Sequence, residues 1–133
     1  MNTLDWTGDR LSSPREYVIG RRVEIDLHGY SLATAEGVAL AKVREAYENG
    51  FRLITFIHGW STSRQTNRSE GRDTIRELLR AMLGRGEFGP HAYSGKHRKH
   101  IRDVASLTVA LRPNHQPLEA SLWSAMPPRE YPR

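Results

Sequence analysis

The chain contains no cysteine. That excludes disulfide frameworks, thiolate metal sites and cysteine nucleophiles, and it agrees with a reducing compartment. No apolar run approaches the roughly 18 residues that a membrane-crossing helix needs. The opening ten residues (MNTLDWTGDR) also lack the basic region followed by an apolar stretch that marks a secretory signal. These absences predict a soluble, cytoplasmic protein with no membrane partner. No internal repeat is present. One stretch lacks acids altogether: residues 91–102 (HAYSGKHRKHIR) hold four Lys/Arg and three His without a single carboxylate.

What is present fits one domain. A chain of 133 residues can bury a real core without covalent staples. Hydrophobic residues make up 38%, somewhat low for a globular chain, which reads as a folded centre with polar ends. Twenty Lys+Arg against fifteen Asp+Glu leave a formal charge of +5 and favour a polyanionic partner. A second basic stretch, 60–72, carries Arg64, Arg68 and Arg72 against one Glu. Either stretch alone also reads as a solvated loop.

Residues 1–20 have no periodicity and contain Gly8, Ser12, Ser13 and Pro14, so they read as an extension. Residues 113–133 hold five of the seven prolines and read as an extended tail with one short amphipathic turn around Leu122 and Trp123. Between them, signals for strand and helix alternate. Residues 23–28 (VEIDLH) alternate apolar and polar and predict a half-buried strand. Gly29 ends it, Ser31 can cap a helix, and residues 33–48 place Ala35, Ala39, Val43 and Ala46 on one helical face. Asn49-Gly50 closes that helix. Residues 52–58 (RLITFIH) form a nearly continuous β-branched and aromatic run, as in a central strand. A second helix is predicted over about 70–83, a weak strand near 91–94, and a last strand over 106–111 (SLTVAL). The expected fold is α/β: a two-layer βαβαββ sandwich with a four-stranded mixed sheet and both helices on one face. The domain spans residues 21–112.

Chemistry concentrates at two strand ends. Residues i and i+2 of a strand share a side, so Glu24, Asp26 and His28 face away from Val23, Ile25 and Leu27. His58 ends the second strand, and both histidines precede a glycine, at Gly29 and Gly59. In open parallel sheets ligands bind at the carboxyl rim, where helix N-termini add positive potential. A lone histidine is more often packed than catalytic, and a lone strand-end Asp usually caps a turn. The repeated strand-His-Gly-helix arrangement is what points to a site.

Residues 23–29 (VEIDLHG) and 53–59 (LITFIHG), each followed by a helix, resemble the two motifs of the Smr domain. That is the small MutS-related module of MutS2 proteins and of stand-alone proteins. The resemblance covers about residues 20–112. It implies a βαβαββ fold and an endonuclease that nicks or cleaves nucleic acid, in several members RNA at stalled ribosomes. It also implies functional positions at Asp26, His28, His58 and Gly59. The usual second motif has glycine two residues after the first; here that position is Ser61. The loop that follows is long and arginine-rich, and the basic 91–102 stretch replaces a glycine-rich one.

The mechanism expected from these residues is metal-independent cleavage of single-stranded RNA. His28 takes the proton of a ribose 2′-OH, Asp26 orients it, and His58 protonates the leaving 5′ oxygen. The Gly29 and Gly59 amides, with Arg64, Arg68 or Arg72, stabilise the phosphate. Trp60 or Tyr30 stacks a base, and Lys96, His97, Arg98 and Lys99 hold the backbone. No cofactor is required. Two alternatives stay open on the sequence. One is a divalent metal held by Asp26, His28 and His58 in a DNA-nicking enzyme; the other is an RNA- or ribosome-binding module without catalysis. A third reading is a protein-interaction adaptor that acts through the proline-rich tail.

Overall fold

The strongest strand patterns of the sequence become the centre of one sheet. A computed structural model of the chain describes residues 16–59 and 74–118, with side chains from residue 20 onward. Seven elements run in the order β1 (Glu16–Ile19), β2 (Arg22–Asp26), α1 (Leu32–Glu48), β3 (Leu53–Ile57), α2 (Ile75–Gly84), β4 (Ile101–Arg102) and β5 (Ser106–Ala110). The sheet order is β1-β2-β3-β5-β4. β2 and β3 are parallel, while β1, β4 and β5 pair antiparallel with their neighbours.

Register decides which side chains meet. Val23 pairs with Ile54 and Ile25 with Phe56, and β5 sets Val109 and Leu107 against those two. All six are fully buried and form the core with Ala35, Ala39, Val43 and Ala46 of α1 and Leu79, Met82 and Leu83 of α2. Both helices therefore cover one face of the mixed sheet, and the predicted sandwich is what forms. On the other face Glu24, Thr55 and Thr108 stand in a row. The two threonine hydroxyls there are joined by a 2.7 Å hydrogen bond.

The helix ends follow local chemistry. Ser31 accepts the Thr34 N–H at 3.1 Å as the N-cap of α1. Gly50 (φ +87°) turns the chain out of α1, and Thr74 caps α2 through the Glu77 N–H. The predicted first turn of α2, residues 70–73, lies outside the described residues. So do Leu122 and Trp123 of the tail. As far as Leu118 the chain after β5 folds back to the end of α1. There Asn114 Nδ2 donates to the Tyr47 carbonyl at 2.9 Å and the Leu118 N–H to that of Glu48.

Two expectations need correcting. Residues 16–19, read as part of an extension, form β1, so the sheet has a fifth strand beyond the four expected. The cause is a two-residue hairpin at Gly20-Arg21, where Gly20 takes φ +63°, a conformation tight hairpins favour. The weak strand expected near 91–94 is a single bridge between Ala92 and Leu111, and the edge strand forms instead at Ile101–Arg102.

Candidate functional site

β2 and β3 end side by side, as expected, but not in step. Asp26 pairs with Ile57, so His58 stands level with Leu27 and Gly59 with His28. The one-residue offset sends the two histidines to opposite faces. His28 stays with Asp26 on the face away from the helices. His58, two residues beyond Phe56, turns toward α2.

The first turn is built around one carboxylate oxygen. Asp26 Oδ1 accepts the His28 backbone N–H at 3.0 Å and faces the ring Nδ1–H of the same residue at 3.3 Å. This Asx turn orients the ring and assigns the proton to Nδ1. The His28 side chain is 54% exposed and that of Asp26 33%. Gly29, at φ +91°, is exposed beside them. Gly59 closes the other side: a Cβ added there would lie 3.3 Å from the Cβ of His28, at a φ of +87°. A side chain at this position would therefore press on the histidine and strain its own backbone.

The second turn is a packed one. His58 is 8% exposed, and its Nδ1 donates to the Gly59 carbonyl at 2.9 Å. Its Nε2 is buried without a partner among the described residues. Burial holds its pKa below the ordinary 6.5. The Gly59 carbonyl opposes that effect, and the guanidiniums of Arg76 and Arg80 reinforce it. A neutral ring with its proton on Nδ1 is the form this environment selects. The Gly59 amide, expected to hold phosphate, instead donates to the Ala105 carbonyl at 3.1 Å, as does the His58 amide at 3.0 Å.

Three further expectations meet the geometry. Among the described residues no three His, Asp or Glu side chains converge on a common point, so Asp26, His28 and His58 do not form a ligand set. The register is the cause. Trp60, Arg64, Arg68 and Arg72 lie outside the described residues. Lys96, His97, Arg98 and Lys99 belong to the far end of the sheet. The Tyr93 N–H bonds the Ala110 carbonyl at the end of β5, whereas Ser106, at its start, pairs with Ile57 beside the rim. Four strand steps separate those ends, about 13 Å. Tyr30 is 5% exposed and belongs to the core, so it offers no stacking surface.

The cations that do reach His58 are Arg76 and Arg80, which the sequence reading passed over. They lie one turn apart on α2, and Arg80 also donates to the Asp103 carbonyl at 3.1 Å. Their i, i+4 spacing next to the buried stripe was the available signal.

In the basic stretch, His100 is structural. Its Nε2 donates to the Ser94 carbonyl at 2.8 Å and its Nδ1 accepts the Ala110 N–H at 3.0 Å, which fixes a neutral tautomer. Gly95 packs so closely that a Cβ would lie 2.6 Å from the Leu83 carbonyl oxygen. No helix among the described residues is long and apolar enough to cross a membrane.

No protein-family model matches the chain, and neither does any curated protein. Among solved structures it is similar to the Smr domain of Thermus thermophilus MutS2. The identity is 23%, over 68% of this chain and 98% of that one, with a TM-score of 0.49.

Proposed function

We propose that the protein is an endonuclease that cuts single-stranded RNA at the Asp26–His28 rim. The observation that carries this reading is the half-exposed His28 ring, oriented by Asp26 and set against a glycine with no Cβ. An imidazole so held, with its proton on Nδ1, presents Nε2 as a base. It takes the proton of a ribose 2′-OH; the 2′ oxygen bonds to phosphorus, and the bond to the 5′ oxygen breaks. The leaving 5′ oxygen takes its proton from solvent. His58 is a poor source for that proton because burial keeps it neutral, so it acts as a positioning residue behind Gly59. Asp26 holds the charged imidazolium that forms on His28. Arg64, Arg68, Arg72 and Trp60 follow Gly59 in the chain and remain proposed contacts to phosphate and base. The motif resemblance points to the same substrate class, and a ribosome is the larger target it implies.

The test is incubation of end-labelled RNA and DNA with wild type and His28→Ala, with and without chelator. The expected products carry a 2′,3′-cyclic phosphate and a 5′-hydroxyl; DNA resists and chelator has no effect. Ends with 3′-hydroxyl and 5′-phosphate, or activity restored only by a divalent ion, would replace this reading with metal-assisted water attack. RNA that is bound and never cut would leave a binding module.

A further inference from the structure

The end of the sheet remote from His28 carries a groove that the cleavage chemistry does not use. Arg21, Arg52, Tyr93 and Lys99 line it, over a floor of Leu53 and Leu111. These residues come from four separate places: the β1–β2 turn, the start of β3, the basic stretch and the end of β5. The backbone ties them together, because Arg52 N–H donates to the Arg21 carbonyl at 3.0 Å and the Leu111 N–H to that of Arg52 at 2.9 Å.

Two features of the groove point to a ligand. First, three cations, Arg21, Arg52 and Lys99, line one groove, and among the described residues none of them is paired with a carboxylate. The Nε of Arg52 is buried without an acceptor among the described residues, as are those of Arg22 and Arg80 elsewhere. Second, Tyr93 of the lining belongs to an aromatic stack with a further cation beside it. The His97 ring lies 4.1 Å from that of Tyr93 at 16°, and the Arg112 guanidinium sits 5.0 Å from the Tyr93 centroid. A protein that gathers unpaired cations at one place accepts self-repulsion unless an anion shares the site.

We infer that this groove is a second binding site, which takes the sugar-phosphate backbone of single-stranded RNA at a distance from the cutting rim. Cations beside an aromatic platform over an apolar floor are the chemistry of single-strand binding, where phosphates meet charge and bases meet rings. A small inorganic anion would not need the rings, and a rigid duplex would not lay bases on them. The identity of the strand as RNA rests on the function proposed above; the existence of an anionic strand site does not. The groove would hold the substrate while His28 acts on another part of the same strand, so it governs KM and leaves kcat alone.

The experiment is fluorescence polarisation of labelled single-stranded RNA across a salt series, with wild type, Arg21→Ala/Lys99→Ala and His28→Ala. Both mutated groove residues are exposed, and an unchanged Tm checks that the fold is intact. Each lost phosphate contact lowers the slope of log affinity against log salt by about 0.7, so the double variant should lose about 1.4 and bind several-fold more weakly. Arg21→Lys/Lys99→Arg should restore the slope, and KM for cleavage should rise with kcat constant. His28→Ala should bind as wild type does. A groove variant with the wild-type slope overturns the inference, and so does a duplex that binds as tightly as a single strand. A reduced slope in a protein that cuts nothing supports the groove and defeats only the assigned cleavage site.

Discussion

The turns at His28 and His58 share a His-Gly sequence and neighbouring strand ends, yet they are different objects. Around His28 the chain folds on itself: one Asp26 oxygen holds both the backbone and the ring, and the imidazole stands half in solvent. Around His58 the chain is held by its neighbours, through Ala105, Gly59 and the side of α2, and the imidazole is buried. A one-residue offset between parallel strands produces the whole difference. Two identical dipeptides at one rim therefore need not make a symmetric acid–base pair. Here one presents a half-exposed imidazole and the other packs its ring away.

The sharpest way to break this contrast is to remove each ring in turn. His28→Ala should lower RNA cleavage by about 100-fold or more, the usual contribution of general acid–base catalysis, with Tm almost unmoved because the side chain is exposed. His58→Ala should do the reverse. It leaves a cavity and strips the Gly59 carbonyl of its donor, costing about 1–3 kcal/mol of stability, while cleavage measured well below the new Tm falls far less than in His28→Ala. Equal activity losses in end-labelled RNA assays would restore the symmetric pair.

Gly59→Ala joins the two turns in one substitution. Its left-handed backbone costs about 1–2 kcal/mol with any side chain, and the new Cβ presses on His28. Thermal melts should show the stability loss, and kcat should drop although no reacting group is removed. A variant that melts early but keeps full kcat would mean that Gly59 serves the fold alone.

The smallest effect is the one in pH. His58 binds its proton more weakly in the folded chain than at the unfolded 6.5. Below 6.5 the unfolded state therefore takes up more protons than the native one, and stability falls as pH drops through 6.5 and on through the lower folded value. Above 6.5 the contribution is fully present. His58→Gln, which cannot titrate, should flatten that part of the stability-against-pH curve in denaturant titrations. An unchanged curve would move the acid sensitivity elsewhere. His97 is also held low, by desolvation first and then by His100, Lys99, Arg98 and Arg112, so it is the residue to substitute next.

Much of the fold could be read in advance because its signals are local. The alternation of 23–28, the β-branched run of 53–57 and the apolar stripe of α1 each state a buried face within a few residues. β1 escaped because a short edge strand is held by backbone hydrogen bonds and a tight turn, which leave little mark in side-chain periodicity. Histidines were harder still. His100 sits in a basic run that reads as ligand-binding, and only its three backbone partners reveal a structural residue.

The sequence by itself determined α1 with its Ser31 cap, the central strands β2, β3 and β5 with their core sides, and the closeness of Asp26 to His28, which lie two residues apart on one strand. Only the tertiary structure decided the rest: the register that separates the histidines, the arrival of Arg76 and Arg80 beside His58, and the removal of the basic stretch to the far end of the sheet. The physical reason is the range of the forces. Capping and alternation act within a turn of chain, whereas strand register and the burial of a ring depend on residues that meet only when the sheet closes.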